Sequence, residues 1–253
     1  MKKELLLLVS TFFFLSMTAI TGVYAVEENK KVEIISEDIE DVTGDGKKDK
    51  ISLKGTRMDD SFYKDIFVEI NTDEKEHKID LEEGIRPSLN FNDFNQDGVK
   101  EIFLSTETGG SGGVSNYYLY TVKDNNIVNL KVPDPLVIQS QFLDGYKAKI
   151  TIENNHKSYK FNLKNRSQDY ENTGLYYQGK LNEPTELMIQ SYTSLEPKKL
   201  KGKKLGLIGT QTISGAYNAD VIGRVESTWE LKNGTWTLIK TKIFETSYEK
   251  GRE

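Results

Sequence analysis

Cysteine is absent from this chain of 253 residues. That excludes a disulfide scaffold, a thiol nucleophile and a lipid-modified cysteine. Histidine is nearly absent, with His77 and His156 the 2 present, so zinc has little to bind. Charge of one sign is not in strong excess: the formal net charge is −5 with both signs mixed. Such a balance offers neither a nucleic-acid surface nor a polybasic membrane patch. Helical periodicity is scarce. Its best candidate is Thr185 to Tyr192, with Glu183 and Glu186 near the start and Pro197 beyond the end.

Long apolar runs are confined to one place. Leu5 to Ile20 follows Met1-Lys2-Lys3 and leads to Val23-Tyr24-Ala25. That is the pattern of a secretory signal peptide cleaved after Ala25. The run is short for a spanning helix and is interrupted by Ser10, Thr11, Ser16 and Thr18. The expected organisation is a signal peptide over residues 1–25 and a secreted domain over residues 26–253, with no membrane contact after cleavage. A secreted chain without disulfides must draw its stability from a core, from bound ions or from both.

What is present is mostly strand signal. Val32 to Ile35, Ile51 to Leu53, Ile66 to Ile70, Glu101 to Leu104, Tyr117 to Val122, Lys149 to Ile152 and Tyr159 to Leu163 are short β-branched or aromatic runs. Leu205 to Ile208, Val225 to Leu231 and Trp236 to Phe244 continue the series. Asn233-Gly234 between two such runs is the strongest local hairpin signal. The chain reads as all-β.

Two nonapeptides repeat. Asp41-Val-Thr-Gly-Asp-Gly-Lys-Lys-Asp49 and Asp93-Phe-Asn-Gln-Asp-Gly-Val-Lys-Glu101 share one frame. Two further equal steps fall near Asp144-Gly145 and on Pro197 to Leu205, where Gly202 keeps the turn position and the acids are gone. A structural frame of this kind requires residues 197–208 to form a metal-free turn and strand within the sheets that contain the acidic loops.

The acidic loops carry the chemistry. Oxygen ligands at positions 1, 3, 5 and 9, a carbonyl at position 7 and a glycine turn at position 6 converge on a hard cation, and calcium fits best. The candidate ligands are Asp41, Thr43, Asp45, Lys47 through its carbonyl, and Asp49 in the first loop. In the second they are Asp93, Asn95, Asp97, Val99 through its carbonyl, and Glu101. Neither loop is a complete EF-hand, because position 12 is Ser52 or Leu104 and a strand follows at once.

These loops resemble FG-GAP/VCBS repeats, the calcium loops of integrin-type β-propellers. The chain is similar to small secreted repeat proteins of Gram-positive bacteria, which share Gly109 to Gly113 and a segment like Gln211 to Gly223. The resemblance implies a propeller-like arrangement of about four small antiparallel sheet units with calcium at their edges. Thr43 stands where the family often has Asp or Asn, which makes the first site the weaker one.

Gly109-Gly110-Ser111-Gly112-Gly113 matches a nucleophile elbow in letters, but a strand pattern follows where that motif needs a helix. Tyr118 and Tyr120 fall on one face of their strand and Tyr117 on the other, a pattern that suits packing between sheets. The expected function is therefore non-enzymatic: a calcium-binding module that engages cell-wall polymer or another extracellular protein. The alternative is a secreted hydrolase acting on such a polymer.

Overall fold

Alternation of apolar and polar side chains sets the strands. In residues 147–152, Ala148, Ile150 and Ile152 are fully buried while Lys147, Lys149 and Thr151 point the other way. The computed structural model describes residues 31–202 and 204–247, so the expected signal peptide over residues 1–25 lies outside the described residues. The first eight strands are β1 (Val32–Glu40), β2 (Asp49–Arg57), β3 (Phe62–Asn71), β4 (Glu76–Asp80), β5 (Gly84–Asn92), β6 (Glu101–Glu107), β7 (Ser115–Lys123) and β8 (Asn126–Asn129). They form one sheet in the order β1-β2-β3-β5-β6-β7-β8, with β4 paired to β3. A three-stranded sheet follows, made of β9 (Ile138–Leu143), β10 (Lys147–Ile152) and β11 (Lys157–Asn162). A small pair, β12 (Tyr176–Tyr177) and β13 (Lys180–Leu181), precedes a four-stranded sheet of β14 (Met188–Lys199), β15 (Leu205–Ser214), β16 (Val221–Lys232) and β17 (Thr235–Glu245). The all-β class is as expected.

In strand order the chain is a succession of antiparallel meanders: β1 to β4, β5 to β8, β9 to β11 and β14 to β17. The first two fuse because the start of β5 pairs with Phe62 and Tyr63 of β3. Gly84 makes that seam possible, since a Cβ there would lie 2.4 Å from the Glu107 carbonyl oxygen. Each meander opens on a hairpin. The acidic loops join β1 to β2 and β5 to β6, Asp144-Gly145 lies in the β9–β10 turn, and Leu200 donates its amide to the Lys204 carbonyl (2.9 Å) in the β14–β15 turn. Residues 197–208 are thus a turn and strand, as the repeat frame predicts. Their sheet is the four-stranded one, however, apart from the sheet that carries both acidic loops. The repeat marks a recurring hairpin and not a shared sheet, so the expected count of about four small sheet units does not hold: the first two meanders are one eight-stranded sheet.

Residues 185–192 are not helical. They lead into β14, with Leu187, Tyr192 and Leu195 buried. The register of β14 against β15 shifts between Ile189 and Tyr192 and again between Tyr192 and Ser194. Two irregularities of this kind move buried side chains off a two-residue period, and that produced helix-like spacing in the sequence. Among the described residues α-helix is confined to α1 (Ser167–Asn172), anchored by the buried Tyr170. Asn233 and Gly234 do form the β16–β17 turn, with φ values of 49° and 76°.

Two apolar clusters fill the interior. One gathers Ile51, Leu53, Ile66, Val68 and Ile70 with Ile102, Leu104 and Val122. The other gathers Phe94, Phe103 and Leu119 with side chains of β10, β11, β15 and β16. Strands β6 and β7 serve both clusters, because successive side chains alternate faces. Ile102 and Leu104 enter the first cluster and Phe103 the second. Tyr118 and Tyr120 pack on the first, while Tyr117 stacks on Phe103 (6.1 Å) and meets Tyr192 edge-on (6.4 Å). Tyr117 therefore packs between sheets, whereas Tyr118 and Tyr120 pack on side chains of their own sheet.

Candidate metal centre

The two acidic loops share their hydrogen bonds at positions 1, 5 and 9. At position 1, Asp41 accepts from the amides of Gly44 (2.6 Å) and Gly46 (2.9 Å), and Asp93 accepts from Gln96 (2.7 Å) and Gly98 (3.2 Å). At position 5, Asp45 accepts from the Lys47 amide and Asp97 from the Val99 amide, each at 2.8 Å. At position 9, Asp49 accepts from the Val42 amide (3.0 Å) and Glu101 from the Phe94 amide (2.7 Å). Position 6 is glycine in both, at φ +83° and +92°, where a side chain would be strained. Position 4 is also left-handed in both, at 77° for Gly44 and 64° for Gln96. Position 2 fastens each loop to the interior: Val42 and Phe94 are fully buried.

The loops lie beside one another. A Cβ on Gly44 would come within 2.6 Å of the Val99 side chain, and Lys100 pairs with Glu40 at the foot of the first loop (3.0 Å). Position 3 separates them. Thr43 donates its hydroxyl toward Asp49 (3.3 Å) and Asp41 (3.4 Å), whereas Asn95 donates to Asp97 (2.9 Å). Lys47 and Val99, expected to act through their carbonyls, contribute amide hydrogen bonds, and the Lys47 ammonium pairs with Asp73 (2.6 Å).

The position-9 carboxylates are the buried ones. Asp49 is 2% exposed and Glu101 is fully buried. One Glu101 oxygen, Oε1, has no hydrogen-bond partner. Burial, followed by the negative charges of Asp97 and Asp93, pushes its carboxyl up to about 7 against the amide of Phe94. An orphaned carboxylate oxygen in a buried site calls for a proton or a cation. As they stand, the acids do not close around a point: among the described residues no group of three His, Cys, Asp or Glu is gathered closely enough to hold a metal. The oxygens turn to backbone amides instead, which leaves each carboxylate further lone pairs to offer.

Sequence reasoning missed the surroundings of the first loop. Thr43 and Asp45 share a hollow of about 330 Å³ with Asp73, Glu74, Asp124 and Asn125. These come from the β3–β4 and β7–β8 turns and carry no local motif. Behind them His77 on β4 contacts the side-chain amide oxygen of Asn125 (2.9 Å), and the Asn125 amide nitrogen donates to Glu74 (2.8 Å).

Ser111 lies in the β6–β7 hairpin, so the strand–turn–helix setting of a nucleophile elbow is not formed. Its hydroxyl oxygen accepts from Asn218 (2.9 Å), and Asn218 in turn accepts from Gln190 (2.9 Å). The segment Gln211 to Gly223 is fixed by Asp220, which accepts from buried Arg166 (2.9 Å) and Tyr170 (2.6 Å). Desolvation and the adjacent Asp220 carboxylate drive the Tyr170 phenol upward, which suits a permanent donor.

The fold and its loops define an all-β chain of antiparallel meanders with two congruent acidic hairpin loops. Residues 136–244 match the family model of the YybI C-terminal domain, a span that begins beyond both loops. Over 197 residues the chain is 29% identical to "Uncharacterized protein YybI" of Bacillus subtilis (strain 168), covering 74% of this chain and 75% of that protein. No solved structure matches. Among the described residues no helix is long and apolar enough to cross a membrane.

Proposed function

We propose that this chain is a secreted calcium-binding β-repeat protein that binds an extracellular polymer or protein and does not catalyse a reaction. The antiparallel meanders are its building units, in a propeller-like arrangement. The observation that carries the reading is the shared hydrogen-bond frame of the two loops, together with the unpartnered, buried oxygen of Glu101 in the second. Asp93, Asn95, Asp97 and Glu101 would hold the stronger ion and Asp41, Thr43, Asp45 and Asp49 the weaker. Calcium supplies positive charge there, offsetting the burial of the position-9 carboxylates and pinning β1 to β2 and β5 to β6.

The test is thermal. Calcium added to the chelator-stripped protein should raise its Tm, and magnesium should do much less because it resists all-protein oxygen cages. At a hundredfold excess over Kd the gain is about 2.7 kcal/mol per site. Identical melting curves in calcium and in chelator would overturn the proposal.

A further inference from the structure

The two halves of the chain differ in charge. Residues 32–135 carry 12 Lys and Arg against 23 Asp and Glu, and residues 136–247 carry 16 against 11. In the first half, nine basic side chains are paired with carboxylates. In the second, the ion pairs among the described residues are Arg166–Asp220, Lys204–Glu230, Lys232–Glu230 and Arg224–Glu226. The lysines of the three-stranded sheet are in none of them.

Those lysines share a face. Lys149 on β10 stands opposite Lys160 on β11 and Gln141 on β9, and Lys147 stands opposite Asn162. Lys147 and Lys149 are two residues apart on one strand, roughly 6.7 Å, and Lys160 is roughly 5 Å across. Like charges directly opposite one another destabilise a sheet, and no carboxylate is paired with them. Around Lys149, Gln139, Gln141 and Thr151 add hydrogen-bonding groups to a shallow hollow of about 500 Å³, with Glu186 at its margin. Of the other acids in this region, Glu153 accepts from Gln139 (2.7 Å) and Asp144 in the β9–β10 turn accepts from the Leu181 amide (2.9 Å).

From this face we infer a binding surface for a linear phosphate-bearing polymer with a non-aromatic backbone. Repeated ammonium groups on a flat, rigid strand suit a chain of repeated oxyanions, with the amide and hydroxyl side chains donating to the remaining oxygens. The face holds no aromatic ring on which bases could stack, which argues against single-stranded nucleic acid. It also holds no protruding apolar cluster to enter a bilayer. The inference rests on reading the chain as a binding module and is independent of the calcium loops.

Long-chain inorganic polyphosphate is the probe, titrated against the purified protein at several salt concentrations, with calcium and with chelator. The K147Q/K149Q/K160Q variant should bind at least about tenfold more weakly at low salt, and its salt slope should fall by about two. The K198Q/K199Q/K201Q variant loses the same charge in the β14–β15 region and should stay within about threefold of the parent. Lys160→Glu turns a repulsive cross-strand pair into an attractive one, so Tm should rise while binding falls, a combination that misfolding does not produce. Equal losses in the two triple variants, no polyphosphate binding at low salt, or equal affinity for single-stranded DNA or anionic vesicles would overturn the inference. The calcium-dependent Tm reads the loops separately, so failure of either proposal is distinguishable from failure of the other.

Discussion

The two acidic loops differ in the donors that meet their buried position-9 carboxylates. Both place a position-9 acid in the interior and give it the position-2 amide. In the first loop the Thr43 hydroxyl adds a second donor to Asp49. In the second, Asn95 turns its amide to Asp97, and Glu101 keeps one oxygen with no partner. The position-3 hydroxyl thus adds a donor to an Asp49 oxygen that the backbone already meets, while Glu101 is left to backbone amides alone. A loop that satisfies its own acids is a stable turn, whereas one that leaves an acid wanting has more to gain from a cation.

The strongest way to break this comparison is to remove the position-5 acids in turn. Asp97→Ala should abolish most of the calcium-induced rise in Tm, a loss of up to about 2.7 kcal/mol at hundredfold saturation, and Asp45→Ala should remove less. Equal losses measured by differential scanning calorimetry would mean that position 3 does not rank the loops.

A second prediction uses pH. Folded Glu101 sits near 7 and its usual value is 4.5, so the native state holds a proton that the unfolded chain has released between those values. Its contribution to stability is therefore present below pH 4.5 and is lost as pH rises toward 7, with a slope of at most about 1.4 kcal/mol per pH unit. Urea unfolding in chelator should show that decline, and Glu101→Gln should flatten it. A parent protein that gains stability from this residue across the same window would contradict the burial argument.

The smallest effect should come from position 3 itself. Thr43→Asn gives the first loop the second loop's residue and removes a hydroxyl donor from Asp49. In chelator it should cost about 1 kcal/mol, and in calcium the first site should tighten. A calcium titration that leaves both sites unchanged would detach affinity from Thr43.

Much of the fold was legible where local chemistry is strong. The alternating runs became β2, β3, β6, β7, β10 and β15 to β17, and Asn233-Gly234 became a hairpin turn because both residues accept positive φ. Both loops were visible because their ligands are close in sequence. Short strands such as β4 and β8 were not, since five or four residues with at most two apolar side chains acquire strand geometry from a neighbour's edge. The error at residues 185–192 has the bulges in β14 as its cause. Asp73, Glu74 and Asp124 escaped notice because turns distant in sequence bring them to the first loop. The charge-bearing face of β10 and β11 needed the register before its lysines could be seen as neighbours.

The double-faced pair β6 and β7 bears on how such a protein could be divided or exchanged. Phe103, Tyr117 and Leu119 belong to the first eight strands by sequence and to the second apolar cluster by packing. The matched family span begins at residue 136, on the far side of those residues. A gene fusion or truncation cut there would leave an aromatic surface on one fragment and an uncovered core on the other, a combination prone to aggregation. The two portions are readable as separate in the letters of the chain, but each covers part of the other's apolar surface.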